Sequence, residues 1–289
     1  MNDMAVMTAS DFKSDTKPIW CPGCGDFSVL TALTKALAEL ARPREQVALI
    51  SGIGCSSRIP AYTRVYGLHG VHGRALAVAA GVKLANPALT VLAAGGDGDG
   101  LSIGGNHFLH ACRRNVDMTY VLMDNQVYGM TKGQASPTTA PEWCESKLTP
   151  HGTGVSPVAP LHLALASGVN FFARGFAGKP NELADLILAG IAHPGFSVIH
   201  VLSPCVTFRP EQRGWKSVVH ASDAPPATDP TEALARFADD DGFTTGILYQ
   251  ADRAPFLPAH SSDMTAADFD AGFAVRGGAM AAVAAGGPA

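Results

Sequence analysis

Apolar runs that lack polar alternation constrain this chain more than any other feature. They cover residues 47–53, 90–94, 118–123, 170–173 and 196–202 and are rich in Val, Ile, Leu, Phe and Ala. A strand with one wet face alternates polar and apolar residues, whereas a strand covered on both faces does not. Between the runs, apolar residues recur at helical spacing over 28–41 (Val29, Leu30, Leu33, Leu37, Leu40), 74–84, 103–114, 161–166 and 182–192. Asp26 or Ser28 is placed to cap the first of these helices, and Asn86-Pro87 stops the second. Strands and helices in this alternation predict an α/β fold, a parallel sheet flanked by helices.

Of 289 residues, 47% are apolar and 16% charged, so the chain can bury a sizeable core. Lys plus Arg (21) against Asp plus Glu (25) leaves a net charge of -4. No basic stripe marks a nucleic-acid surface. The N-terminal sequence lacks the pattern of a secretory signal, and the longest apolar runs are too short to span a bilayer. The expectation is a cytoplasmic protein with no membrane or nucleic-acid partner. The α/β domain is expected over 20–208, after a polar arm over 1–19 and before an extension and tail over 209–289. Within the last part, 221–230 (ASDAPPATDP) reads as a linker. The Ala/Gly-rich stretch from Ser262 reads as a loosely ordered tail or an arm that wraps a partner subunit.

The run at 90–94 passes directly into Gly95-Gly96-Asp97-Gly98-Asp99-Gly100, and the run at 118–123 ends in Asp124-Asn125. Both motifs therefore fall at carboxyl ends of parallel strands, where open α/β sheets bind ligands. One carboxylate and one amide are hard oxygen ligands suited to a Mg²⁺ shared with phosphate oxygens. The glycines let backbone N–H groups approach a diphosphate. Gly-Asp-Gly alone also describes a tight turn or a calcium-type Asp-x-Asp loop. The asparagine on the adjacent turn favours the diphosphate. The pair resembles the diphosphate-binding motif of thiamine diphosphate enzymes, and that resemblance assigns metal ligation to Asp97, Asn125 and the backbone carbonyl of Val127.

Six cysteines without a secretory signal point to metal or redox chemistry rather than disulfides. Cys21-Pro-Gly-Cys24 aims two thiolates at one point, a geometry used by zinc and by dithiol pairs. Cys55 and Cys205 each follow a predicted strand, on the same sheet edge as the diphosphate residues. Four thiolates are thus expected near the cofactor, the number a 4Fe–4S cluster takes. A structural zinc gains nothing from that position; an electron acceptor does. Cys112, inside a helix, and Cys144, in a loop, read as incidental thiols.

Taken in order, WCPGCGDF, SGIGCSSR, HGVHGRA, GGDGDGLSIGGNH, DNQVYGMTKGQASPTT and SPCVTF resemble the β subunit of 2-oxoacid:ferredoxin oxidoreductases, over about residues 15–215. The opening SDTKPIWCPGCGD is most similar to the 2-oxoglutarate branch. The resemblance implies thiamine diphosphate, Mg²⁺ and one 4Fe–4S cluster. The implied reaction converts 2-oxoglutarate, coenzyme A and oxidised ferredoxin reversibly into succinyl-CoA, CO2 and reduced ferredoxin. It implies cluster ligation by Cys21, Cys24, Cys55 and Cys205. Cofactor contacts are implied for Ile53, Gly54, Cys55, Ser56, His72, Gly98, Asp99, Gly129 and Met130. His69 reads as a solvated turn residue.

Arg58 and Lys132 flank the two site loops and would supply a cation for the distal carboxylate of a dicarboxylate substrate; a surface ion pair is the alternative. No second α/β unit of comparable size follows residue 205, so an α subunit supplying the activating glutamate is implied, in an (αβ)2 assembly. Pyruvate or another 2-oxoacid is the alternative substrate, since pocket shape decides among them. A non-redox thiamine diphosphate decarboxylase component with a zinc site, and a scaffold subunit without cofactor, are the competing functions.

Overall fold

A computed structural model describes residues 7–256; the stretch from Ser262 lies outside the described residues. The strands are β1 (Val47–Ser51), β2 (Tyr66–His69), β3 (Thr90–Gly96), β4 (Met118–Asp124), β5 (Phe171–Phe176), β6 (Phe196–Leu202), β7 (His220–Ala221) and β8 (Thr244–Gln250). They form one sheet in the order β2-β1-β3-β4-β6-β5-β8-β7. β1 to β6 are parallel, while β8 runs antiparallel to β5. The helices are α1 (Asp26–Glu39), α2 (Ala75–Ala85), α3 (Gly105–Arg114), α4 (Pro160–Ala166), α5 (Pro180–Ala192) and α6 (Pro230–Arg236).

The continuous apolar runs have a direct cause. Every residue of β1, β4, β5 and β6 is buried, and alternate positions enter different cores. Ala48, Ile50, Val91, Ala93, Tyr120 and Leu122 pack with Leu76 of α2, Phe108 of α3 and Leu161 of α4. Val47, Leu49, Leu92, Ala94, Val121 and Met123 pack with Val29 and Leu33 of α1 and Leu183 and Ile187 of α5. Both faces are dry, so neither register admits a polar set.

Several expected boundaries move. α1 starts at Asp26 behind Gly25, and neither Asp26 nor Ser28 caps it; the Asp26 carboxylate instead accepts from Ser203 Oγ at 2.8 Å. Of the arm expected over 1–19, the described part from residue 7 is anchored, because Phe12 is fully buried in the core that contains α1. β2 is short and all four of its residues are exposed; backbone pairing with β1 places it, with Gly67 against Pro60. The largest difference lies past residue 208. The extension stays with the domain to Phe256: β8 joins the edge of β5, and Phe237, Leu248 and Tyr249 are buried in the core. The expected linker connects β7 to α6. A short half-exposed strand held by an edge far back in the chain leaves no periodic trace in the sequence.

The chain moves from β1 outward to β2, then returns to build β3 and β4 on the other side of β1. That reversal opens a crevice beyond the carboxyl ends of β1 and β3, the place where doubly wound sheets take ligands.

Candidate active site

A cavity of about 220 Å³ occupies this crevice. Its wall is made by the segment after β1, the turn after β3, the loop after β4, and His72. Ile53, Gly54, Cys55, Ser56, His72, Gly98, Asp99, Gly129 and Met130 all lie in that wall, together with Asp97, Asn125 and Val127. Arg58 and Lys132 do not. Arg58 Nε donates to the Tyr62 hydroxyl at 3.2 Å, and Lys132 is exposed at φ 80°. A larger depression of about 730 Å³ at the amino ends of β3 and β4 contains none of the motif residues.

Asp97 is 2% exposed at the end of β3. The Thr138 hydroxyl lies 2.8 Å from Asp97 Oδ2 and 2.8 Å from Asp124 Oδ1. One hydroxyl proton serves one of the two carboxylates at a time, so Asp97 shares its only side-chain donor at these distances with Asp124. Burial, and then the neighbouring Asp124 carboxylate, push Asp97 well above the ordinary carboxylate range. A buried carboxyl whose charged form is disfavoured, on a ligand cavity, is a group that a divalent cation would hold in that charged form. Asn125 Oδ1 accepts from Val127 N–H at 3.1 Å, which curls the loop and sets Val127 within the cavity wall. The donor set is oxygen-rich and fits Mg²⁺.

Asp99 has a different part from its neighbour. Its Oδ1 accepts from the backbone N–H of Ile53 at 2.9 Å, from that of Gly73 at 2.7 Å, and bonds His72 Nδ1 at 2.9 Å. It ties together the turns after β1, β2 and β3. The backbone carbonyl of Gly98 accepts from the Tyr128 hydroxyl at 3.2 Å, and a Cβ on Gly98 would overlap the Tyr128 ring. Gly98→Ala is therefore expected to push the ring into the cavity. Affinity for Mg²⁺-thiamine diphosphate should fall about tenfold or more, with little change in Tm; calorimetric titration and a melting curve check it.

The thiols gather at one side of this cavity. The N-terminal Cys21–Cys24 turn packs directly on the loop after β6, because Gly25 N–H donates to Pro204 carbonyl at 3.0 Å and no Cβ would fit between Gly25 and Pro204. Trp20 Nε1 donates to Cys55 carbonyl at 2.8 Å, drawing the same segment to the turn after β1. The Cβ position of Gly129 lies 3.6 Å from Cys55 Sγ and 3.9 Å from Cys205 Sγ, so one backbone position on the cavity wall lies against both sulfurs. Burial pushes Cys55 up to about 12, with Asp26 adding to the effect; burial likewise raises Cys24 and Cys205. Such thiols ionise when a metal supplies charge. Cys205 also faces the backbone N–H groups of Phe208 and Thr207, and Cys24 that of Asp26, donors of the kind that stabilise cluster thiolates. Cys112 is buried in α3 and Cys144 is exposed, neither beside the cavity lining.

Gly96, part of the glycine-rich motif, lies in the wall as well. The sequence reading misses Tyr128 and Thr131 in the wall, and Thr138 and Gln212 behind it. Tyr128 follows Val127 directly in the chain, so its position is legible there. Gln212 carries no local signal.

Residues 52–201 match the family model described as thiamine pyrophosphate enzyme, C-terminal TPP binding domain. The fold and the site thus define a thiamine diphosphate enzyme of the diphosphate-binding type. A 2-oxoacid:ferredoxin oxidoreductase subunit beta of Sulfolobus sp is 42% identical over 253 residues, 82% of this chain and 83% of that one. The 2-oxoglutarate oxidoreductase subunit KorB of Mycobacterium tuberculosis is 45% identical over 68% of this chain and 53% of its own length. A solved 2-oxoglutarate:ferredoxin oxidoreductase of Magnetococcus marinus, with 2-oxoglutarate, coenzyme A and succinyl-CoA bound, superposes with TM-score 0.83 at 42% identity, covering 88% of this chain and 89% of that chain. The chain belongs to the 2-oxoacid:ferredoxin oxidoreductase β-subunit family. It matches 64% of the length of subunit beta of 2-oxoacid:ferredoxin oxidoreductase 2 of Aeropyrum pernix. No helix among the described residues is long and apolar enough to cross a membrane.

Proposed function

We propose that the chain is the cofactor-bearing β subunit of a cytoplasmic 2-oxoglutarate:ferredoxin oxidoreductase, assembled with an α subunit as (αβ)2. The reaction is 2-oxoglutarate, coenzyme A and oxidised ferredoxin to succinyl-CoA, CO2 and reduced ferredoxin, run in either direction. The observation that carries this reading is the meeting of thiols and cavity at Cys55 and Gly129. Thiamine diphosphate supplies a nucleophilic carbon and an electron sink for decarboxylation, and a 4Fe–4S cluster supplies a one-electron acceptor.

The residues of the chain divide the remaining work. Asp97, Asn125 and the Val127 carbonyl would hold Mg²⁺ against diphosphate oxygens. Asp99 keeps three turns in register around it. Cys21, Cys24, Cys55 and Cys205 would hold the cluster, with Cys55 serving both sites. A cluster held by these thiols would stand beside the cofactor cavity as an electron acceptor, a part that zinc, which does not change oxidation state, cannot take. Ile53 and Met130 on the cavity wall are 40% and 52% exposed, and Leu68, Val71 and Ile103 are exposed too. Such apolar surface around an open site supports closure by a second chain.

Anaerobic co-purification with the α subunit tests the reading: brown protein with iron, sulfide and thiamine diphosphate, reducing ferredoxin only with 2-oxoglutarate and coenzyme A, is the expected result. A colourless zinc protein would overturn it. For the distal carboxylate we expect Arg58→Met or Lys132→Met to lower the kcat/KM preference for 2-oxoglutarate over pyruvate by about tenfold. An unchanged preference removes that residue from the role.

A further inference from the structure

The loop carrying Asn125 leaves β4 and the loop carrying Cys205 leaves the neighbouring β6. One side chain joins them. Gln212, 1% exposed, sits in the short 3-10 segment Pro210–Ser217 beyond the segment matched by the thiamine family. Its Oε1 accepts Cys205 N–H at 2.8 Å, and its Nε2 donates to the Asn125 carbonyl at 2.7 Å. A carboxamide presents an acceptor and a donor on one rigid plane, so the two loops are set at the width of a single amide.

The neighbouring contacts make this joint stiff. Arg209, 5% exposed, donates to the Gln126 carbonyl at 2.9 Å and lies 4.5 Å over the Trp143 ring. Its own N–H donates to the Cys205 carbonyl at 2.8 Å. Gln126 is held at φ 56°, a conformation that costs a non-glycine residue about 1–3 kcal/mol unless its surroundings over-determine it; Thr139 Oγ1 also bonds its carbonyl, at 2.8 Å. Gln126 thus has two anchors. Gln212 bridges Asn125 and Cys205 directly, and removing its carboxamide strips a partner from a half-buried N–H and a half-buried carbonyl.

We propose that Gln212 is a positioning residue that couples the diphosphate-side metal loop to the thiolate loop and fixes their separation, an inference resting on the cofactor reading above. It touches no cofactor. It acts through the backbones of Asn125 and Cys205, where small displacements degrade reactive geometry.

The test uses the αβ complex, prepared anaerobically as wild type, Gln212→Leu and Gln212→Glu. Leucine removes both hydrogen bonds at similar volume. Glutamate keeps an acceptor for Cys205 N–H but sets a second oxygen against the Asn125 carbonyl. Calorimetry reads the Kd of Mg²⁺-thiamine diphosphate; iron content and the EPR line shape of the dithionite-reduced protein read the thiolate centre. We expect Kd to rise about tenfold or more in both variants, with EPR changed in Gln212→Leu and wild-type in Gln212→Glu. A residue of purely structural importance would not separate the two readouts. Kd within about twofold of wild type in both variants, or an EPR change in Gln212→Glu equal to that in Gln212→Leu, overturns the proposal. Should the leucine variant fail to fold, the glutamate variant decides on the same readouts. Wild-type protein lacking iron or thiamine diphosphate binding would overturn the cofactor reading first, a pattern distinct from variants that match a loaded wild type.

Discussion

Asp97→Asn is expected to lower the affinity for Mg²⁺-thiamine diphosphate by on the order of 100-fold or more and to abolish turnover with it, since loss of a ligating carboxylate exceeds the cost of losing its supports. Asparagine keeps the shape and offers an acceptor in place of Oδ2, which lies 2.8 Å from the Thr138 hydroxyl. It removes the charge that a cation needs. The cofactor-free protein responds in the opposite sense. Burial and Asp124 raise the Asp97 value above its ordinary 3.8, so the folded state is penalised as pH climbs from that value through the raised one. The substitution lifts this penalty. Cofactor-free Asp97→Asn should therefore melt above wild type at pH 8 and by a smaller margin at pH 5. In wild type, cofactor binding draws a proton from Asp97, so affinity should rise from pH 6 to pH 8. Calorimetry and thermal melts at these pH values check both signs. A variant that binds cofactor like wild type removes Asp97 from the site.

Arg174→Leu is expected to destabilise the protein by about 3–5 kcal/mol, the usual cost of stripping one partner from a buried ion pair. Arg174 is 1% exposed, and its Nη1 and Nη2 meet Asp240 Oδ1 and Oδ2 at 2.9 and 2.5 Å. Nη1 also donates to the Thr244 carbonyl at 3.2 Å, and Nε to His200 Nδ1 at 3.1 Å. Arginine only donates, so His200 carries its proton on Nε2 and gives it to Asp124 Oδ2 at 3.0 Å. Burial lowers the His200 value and keeps the ring neutral. One arginine thus fixes the extension through Asp240 and steadies Asp124, which shares Thr138 with Asp97. Burial opposes charge on Asp240, but the Arg174 bonds prevail and hold its carboxyl below 3.8. That contribution is complete above this value and fades as pH falls beneath it. A Tm lower by about 10 °C is expected at neutral pH. Arg174→Leu with Asp240→Leu should recover much of the loss, because it leaves no unpaired buried charge. A single variant within about 1 kcal/mol of wild type would refute the account.

Residues whose physics is local are legible without coordinates. Leu49 and Ile50 must both be apolar because both faces of β1 are covered. Asp97, Asn125 and the thiols announce their chemistry by donor type alone. Arg58 and Lys132 stand beside the same loops in the chain, and only the structure shows that they lie outside the cofactor cavity.

Fold class and chemical inventory are therefore carried by the sequence itself, in a period, a donor atom or a missing Cβ that a single residue expresses. Which of these groups meet is decided in three dimensions. β8 finds β5, Asp240 finds Arg174 and Gln212 finds Asn125 only after the chain has reversed and returned. Each of these pairings draws its energy from burial and hydrogen bonds between segments far apart in the chain, and no stretch of sequence holds both partners.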